Sequence, residues 1–195
     1  AGLGTRLKEE TRNKPKALVE IGGRTLLQLA VDKLRNEGFD EIVVNVHHFS
    51  GLMISFLKNH YSGVSVKISD ETDKLLDTGG ALKKAARLLE GDEPFLIYNV
   101  DILSNLNLRK VIDKHKKSAA LATLVIRERQ SDRCFKFDDN NQLAGWINKK
   151  TGEKKISDRQ KFESAKEMAF CGIHVVSPAI FKMMPDEDVF SIIDL

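Results

Sequence analysis

The sequence predicts an α/β fold, a mixed and mostly parallel sheet flanked by helices. Three observations carry that expectation. From Thr25 to Ile126, apolar runs rich in β-branched residues alternate at short intervals with segments of helical period. The chain has 195 residues, 42% hydrophobic and 30% charged, which suits one globular domain with a sizeable core. Its opening, Ala1-Gly2-Leu3-Gly4-Thr5-Arg6, is a glycine-rich loop of the sort that leaves a strand of such a sheet to meet an anion.

The elements follow in order. Residues 25–36 carry apolar side chains at helical spacing (Leu26, Leu27, Ala30, Val31, Leu34), and Glu37-Gly38 supplies a stop. Residues 41–46 are a buried strand. Residues 50–60 return to helical period, with Ser50 as N-cap. Residues 64–68 alternate as a strand. Thr78-Gly79-Gly80 opens a helix running to Leu89, and residues 94–99 form a strand ending at Asp101. Residues 108–117 read as a helix and 119–126 as a strand. The rhythm then changes: 134–137 and 142–147 flank Asp138-Asp139-Asn140-Asn141, a hairpin turn. The polar stretch 148–166 reads as a loop, 168–176 as a strong strand, and Ser177-Pro178 starts a short helix with Pro at its first position.

Residue 1 already lies within the glycine-rich turn, and residues 190–195 look like a helix opening without a C-cap. The expectation is a single domain, 1–195, taken from the interior of a longer protein and lacking its first strand and its C-terminal part. A formal net charge of +3 with interspersed signs predicts no face for nucleic acid. The longest apolar runs, such as 119–126, are too short to cross a bilayer. Cys134 and Cys171 fit neither a disulfide framework nor a metal pattern and read as small core residues in a reducing, cytoplasmic setting.

Chemistry is concentrated in four places. Gly2 and Gly4 let backbone N–H groups approach an anion, Arg6 offers a forked donor, and Lys16, after Pro15, adds a mobile charge. The loop is no Walker A motif, lacking the Lys-Ser/Thr, and Leu7 replaces the third glycine of a dinucleotide fingerprint. Asn99-Val100-Asp101 sits at the carboxyl end of a strand, where an aspartate can hold Mg²⁺ with phosphate oxygens and waters completing the shell. Asp77-Thr78-Gly79-Gly80-Ala81 is a helix N-terminus that suits a flat base or, equally by spacing, a simple cap. His47-His48 lacks a third ligand and reads as a solvated or hydrogen-bonded pair.

In this order, Ala1-Gly-Leu-Gly-Thr-Arg-Leu7, Pro15-Lys16, Asp77-Thr-Gly-Gly80 and Asn99-Val-Asp101 resemble the motifs of the sugar-1-phosphate nucleotidylyltransferases. Phe170-Cys-Gly-Ile-His-Val-Val-Ser-Pro178 is similar to that family's later substrate-side strand. The resemblance implies a Rossmann-like fold of the nucleotide-diphospho-sugar transferase type, with a nucleotide-binding half (1–126) and a sugar-phosphate-binding half (127–195). It implies that an NTP and a sugar 1-phosphate give an NDP-sugar and pyrophosphate. By it, Gly2, Leu3, Gly4, Thr5 and Arg6 would hold the triphosphate and Lys16 would neutralise the reacting phosphates. Thr78, Gly79 and Gly80 would meet the base, Asn99 the nucleotide, Asp101 the Mg²⁺, and Gly172 would lie beside the sugar. Arg6, Lys16 and Asp101 would be the catalytic set.

Thr78-Gly-Gly-Ala81 looks closest to small bacterial members acting on N-acetylmuramate 1-phosphate or heptose 1-phosphate, which favours UTP over GTP. Two departures stand out. Glu9-Glu10 replaces a Pro-Leu pair, and the family's second metal aspartate, in a Val-Asp-x-Gly-Thr segment, is absent, since Asp194 does not match it. A molecule ending at Leu195 is expected to bind metal poorly and turn over little. Alternatives are a cytidylyltransferase for phosphocholine or a similar small phosphate, and a non-catalytic nucleotide-sugar-binding subunit. A dehydrogenase fits least.

Overall fold

The computed structural model describes residues 9–61, 65–89 and 91–195. The first of these segments holds a short 3₁₀ turn, Lys16–Leu18, and a small hairpin, β1 (Glu20–Ile21) with β2 (Arg24–Thr25). Helix α1 (Leu26–Asn36) starts at a capping box: Thr25 accepts from the Gln28 N–H at 3.1 Å, and the Gln28 side chain accepts from the Thr25 N–H at 2.9 Å. Its buried stripe, Leu26, Leu27, Ala30 and Val31, repeats at helical spacing, and Leu27 and Val31 of it pack with strand β3 (Ile42–Val46) and helix α2 (Ser50–His60). Leu27, Val31, Ile42, Val46, Met53 and Leu57 form one buried cluster, and Ala17, Leu18 and Val100 pack against it.

Strand β3 pairs in parallel with β4 (Val66–Asp70), from Ile42 against Val66 to Val46 against Asp70. Helix α3 (Asp77–Ala85) follows, then a 3₁₀ turn, Ala86–Leu88, strand β5 (Phe95–Tyr98), helix α4 (Leu108–Ser118) and strand β6 (Ala122–Arg127). Strands β7 (Arg133–Phe137), β8 (Leu143–Asn148) and β9 (Lys154–Ile156) form a meander, and the long β10 (Lys166–Val176) closes the sheet. It runs antiparallel to β5, β6 and β7.

The mixed α/β architecture matches the expectation, and strand direction adds a finding. Among the described pairs, β3–β4 is the parallel one. Strands β5 and β6, joined across α4, do run parallel to each other, but β10 lies between them: His174 faces Ile97 on one side and Leu124 on the other. Ala169, Ile173, Val175 and Val176 of β10 are each 1% exposed or less, as a central strand requires.

Three local readings change. The stretch 148–166, expected as a loop, contains β9. Its Lys154-Lys155 pair hid it, because the Lys154 ammonium lies over the Phe162 ring at 5.5 Å and so gains an apolar neighbour. Ser50 is the first residue of α2 rather than its cap, which falls on Phe49 in the left-handed region at φ 55°. The residues after Pro178 form a 3₁₀ helix, Pro178–Met183, with Pro near its start as expected.

Two histidines are withdrawn from water, His115 in α4 and His174 in β10. His115 of α4 reaches Thr123 Oγ1 and Ser177 Oγ, both at 2.9 Å, and burial lowers its pKa. His174 is 8% exposed, has no hydrogen-bond partner on either ring nitrogen among the described residues, and burial lowers its pKa from 6.5 to about 4. Above pH 6.5 neither the folded nor the unfolded state protonates this imidazole appreciably. Between pH 6.5 and about 4 the unfolded state takes up the proton and the folded state does not, so stability is lost as the pH falls. Urea midpoints should drop across that window, His174 alone contributing about 3 kcal/mol. His174→Phe should flatten most of the drop; an equally steep profile in that variant would assign it elsewhere.

Candidate active site

Lys16 is placed by the residues around it. Pro15 is buried and extended (φ −67°, ψ 151°), and its carbonyl accepts the Leu18 N–H at 2.9 Å, which closes the turn. Ala17 and Leu18 dock on the α1–β3–α2 cluster, and Lys16 is left toward the carboxyl edge of β5. There the chain leaves the strand after Tyr98 in a turn closed by Ile102 N–H to Asn99 O at 3.0 Å. Val100 docks on the same cluster as Ala17 and Leu18, while Asn99 and Asp101 on either side of it are exposed. A shared core thus brings together two charges 85 residues apart: Lys16 Nζ donates to Asp101 Oδ2. Their side chains are 28% and 38% exposed, so the pair contributes ~1 kcal/mol or less and both partners stay available to a ligand.

Gly172 completes the group. Its carbonyl accepts the Asn99 N–H at 2.9 Å, its φ is +76°, and a Cβ there would lie 2.8 Å from Ile102 Cγ1 and 3.0 Å from Asn99 Nδ2. The Tyr98 hydroxyl donates to the Ile102 carbonyl at 2.8 Å, and burial pushes its phenol pKa up, which keeps the donor proton in place. Lys16, Asn99, Asp101 and Gly172 therefore come together at the carboxyl edge of β5.

The Thr78-Gly79-Gly80 turn meets the chain itself. The N–H groups of Gly79 and Gly80 donate to Phe190 O at 2.9 and 3.2 Å, and Thr78 Oγ1 accepts from the Ile192 N–H at 2.9 Å. The room left by the two missing side chains holds the Phe190 ring and the Asp188 carbonyl. Lys83 ties down the approach to this segment, donating to the carbonyls of Pro185 and Asp186 at 2.8 Å and of Glu187 at 3.2 Å. Gly2, Leu3, Gly4, Thr5 and Arg6 lie outside the described residues. Glu9 and Glu10 are exposed to solvent.

Sequence reasoning missed a buried polar link. Glu71, fully buried just after β4, accepts from Asn45 Nδ2 at 2.6 Å; the same amide reaches Ala81 O at 3.1 Å, and His47 Nδ1 donates to Glu71 O at 2.6 Å. This link joins β3, β4 and α3, and spends one nitrogen of His47 on structure. No spacing rule marks a lone glutamate after a strand.

Among the described residues no three His, Cys, Asp or Glu side chains gather as a metal cage, and no helix is long and apolar enough to cross a membrane. One exposed carboxylate at a strand end, Asp101, suits Mg²⁺ carried in by phosphates, since Mg²⁺ is usually held by one or two carboxylates with phosphate oxygens and water.

Comparison with known proteins places the chain. Residues 1–172 match the family described as Nucleotidyl transferase. The chain is 32% identical over 194 residues to an N-acetylmuramate alpha-1-phosphate uridylyltransferase of Caulobacter vibrioides, covering 95% of this chain and 76% of that protein. It is 25% identical over 182 residues to mannose-1-phosphate guanylyltransferase 1 of Arabidopsis thaliana, covering 92% of this chain and about half (48%) of that protein. The fold is similar to that of HddC from Yersinia pseudotuberculosis complexed with GMP-PN, with a TM-score of 0.76 and 22% identity over 98% of this chain and 79% of that one. With its fold and its sequence in agreement, the chain belongs to the nucleotidyl transferase family of enzymes.

Proposed function

We propose that the protein transfers a nucleotidyl group from an NTP, UTP in preference, to a sugar 1-phosphate, giving an NDP-sugar and pyrophosphate. The observation that carries this reading is the meeting of Lys16 and Asp101 beside Asn99 and Gly172 at the carboxyl edge of β5. An oxygen of the sugar phosphate attacks the α-phosphorus in line. A new P–O bond forms, the bond from the α-phosphorus to the bridging oxygen breaks, and pyrophosphate leaves with the electron pair. Both reactants are anions, so the site's task is to gather them and offset their repulsion. Lys16 turns from Asp101 to the phosphate oxygens and donates to them, with Arg6 and the Gly2–Thr5 loop assigned to the same triphosphate. Asp101 would hold Mg²⁺, which would supply positive charge to the phosphates when bound. Asn99 orients the nucleotide and Gly172 leaves room for the sugar, while the Thr78–Gly80 turn, packed against Phe190, meets the base only where that segment yields. Residues 1–126 serve the nucleotide and 127–195 the acceptor. No side-chain nucleophile is needed.

The Caulobacter relative supports UTP by its name, and the mannose relatives point to GTP by theirs. The test is pyrophosphate release by the full-length protein with Mg²⁺, across the ribonucleoside triphosphates crossed with sugar 1-phosphates and phosphocholine. Release is expected with UTP and one sugar 1-phosphate. Release with GTP alone would reassign the base, release with CTP and phosphocholine would reassign the acceptor, and nucleotide binding without any release would favour a non-catalytic subunit.

A further inference from the structure

We propose that Tyr98 is a positioning residue for Asp101, its hydroxyl holding the turn 99–102 in the shape that presents the carboxylate; this rests on the role assigned to Asp101 above. Three hydrogen bonds define the turn. Asn99 N–H to Gly172 O, at 2.9 Å, fixes its start to β10, and Ile102 N–H to Asn99 O, at 3.0 Å, closes it. Tyr98 Oη–H to Ile102 O, at 2.8 Å, fixes its far end. After Ile102 the chain carries no regular structure until α4 begins at Leu108; Leu103 is 60% exposed, and the next tie to another element is at Leu106, whose carbonyl accepts from Lys33 at 2.8 Å.

The residue type argues the same way. Strand β5 reads Phe-Leu-Ile-Tyr, all half-buried, and Tyr98 sits opposite Ile173 in the register. Phenylalanine would fill that place in the sheet equally well. The hydroxyl adds nothing to strand packing; it is used on the backbone of the turn that bears Asp101. A carboxylate that must meet phosphate-borne charge at one position gains from a turn held at both ends, because small displacements of a catalytic group cost rate disproportionately.

The test is Tyr98→Phe in the full-length protein. The melting temperature should stay within ~3 °C, as expected for loss of one partly exposed hydrogen bond. The Ile102 amide should exchange with solvent ~5-fold or more faster. Mn²⁺ binding, followed by electron paramagnetic resonance with UTP and in parallel with GTP, should weaken about 5- to 10-fold, and kcat should fall about 10-fold with KM for the NTP little changed. Unchanged exchange overturns the proposal, and so does faster exchange with unchanged Mn²⁺ binding. If the unsubstituted protein binds Mn²⁺ with nucleotide but releases no pyrophosphate, the transferase reading fails while exchange and Mn²⁺ binding still decide the role of Tyr98. If it binds no Mn²⁺ at all, both fall.

Discussion

Asp101→Asn is expected to lower kcat by roughly 10²- to 10³-fold while the protein stays folded. The side chain keeps its size, so the turn 99–102 and its backbone bonds to Gly172 and within itself are undisturbed. What is lost is one negative charge at the edge of β5, together with an ion pair to Lys16 worth ~1 kcal/mol or less. Thermal unfolding should therefore move little. Turnover should move a great deal, because a charged group that faces reacting phosphates in a partly desolvated site is typically worth that factor. The measurement is steady-state pyrophosphate release beside a melting curve. A variant retaining more than a tenth of the activity would remove Asp101 from the catalytic set, and a variant that failed to melt cooperatively would show that the carboxylate is structural.

Gly80→Ala is expected to cost stability, about 1–3 kcal/mol, the range for forcing extra volume into a packed interior. Gly80 is buried, and a methyl group there would overlap the carbonyl of Asp188, a backbone atom whose chain Lys83 holds through three carbonyls in the preceding residues. A flexible side chain could swing aside; this carbonyl can yield only by moving the segment, which would also strain the Gly79 and Gly80 hydrogen bonds to Phe190. Urea unfolding of the two proteins measures the difference. An unchanged midpoint would mean that the contact between α3 and the 188–192 segment is loose, and would free the Thr78–Gly80 edge for direct contact with a base.

What could be read in the sequence depended on whether the signal was local. Helix α1 announced itself through its apolar stripe and the Glu37-Gly38 stop, and the hairpin of β7 and β8 through the run Asp138 to Asn141, because stops and turns are written within a few residues. Lys16 and Asp101 were singled out by local spelling, a lysine after Pro15 and an aspartate at a strand end; that Ala17-Leu18 and Val100 pack on one core and so bring the two charges together was not readable. Strand direction was not legible, since alternation of strands and helices is the same whether β10 lies beside β5 and β6 or between them. Nor was the partner of Gly79 and Gly80, as a glycine pair states only that something comes close. Phe190 is more than a hundred residues away, as the separation of 114 between Thr78 and Ile192 reflects. Strand β9 was hidden because its lysines pair with an aromatic ring and a carboxylate, Phe162 and Asp194, instead of alternating with apolar residues.

The place of β10 has a mechanical consequence. It follows the meander β7–β9, yet it is hydrogen-bonded along Ile173 to Val176 to β5 and along its upper half to β6. The parts of the chain proposed to serve nucleotide and acceptor are therefore seamed by backbone pairing along β10, interrupted by a register shift between Phe170 and His174, which disfavours opening as a clamshell. Rigid-body hinging between them would break several backbone bonds at once. Substrates must be admitted by the connections that stand outside the ladder and the side chains they carry. Relaxation measurements should find motion in such connections and stillness in the sheet and in the tied turn 99–102.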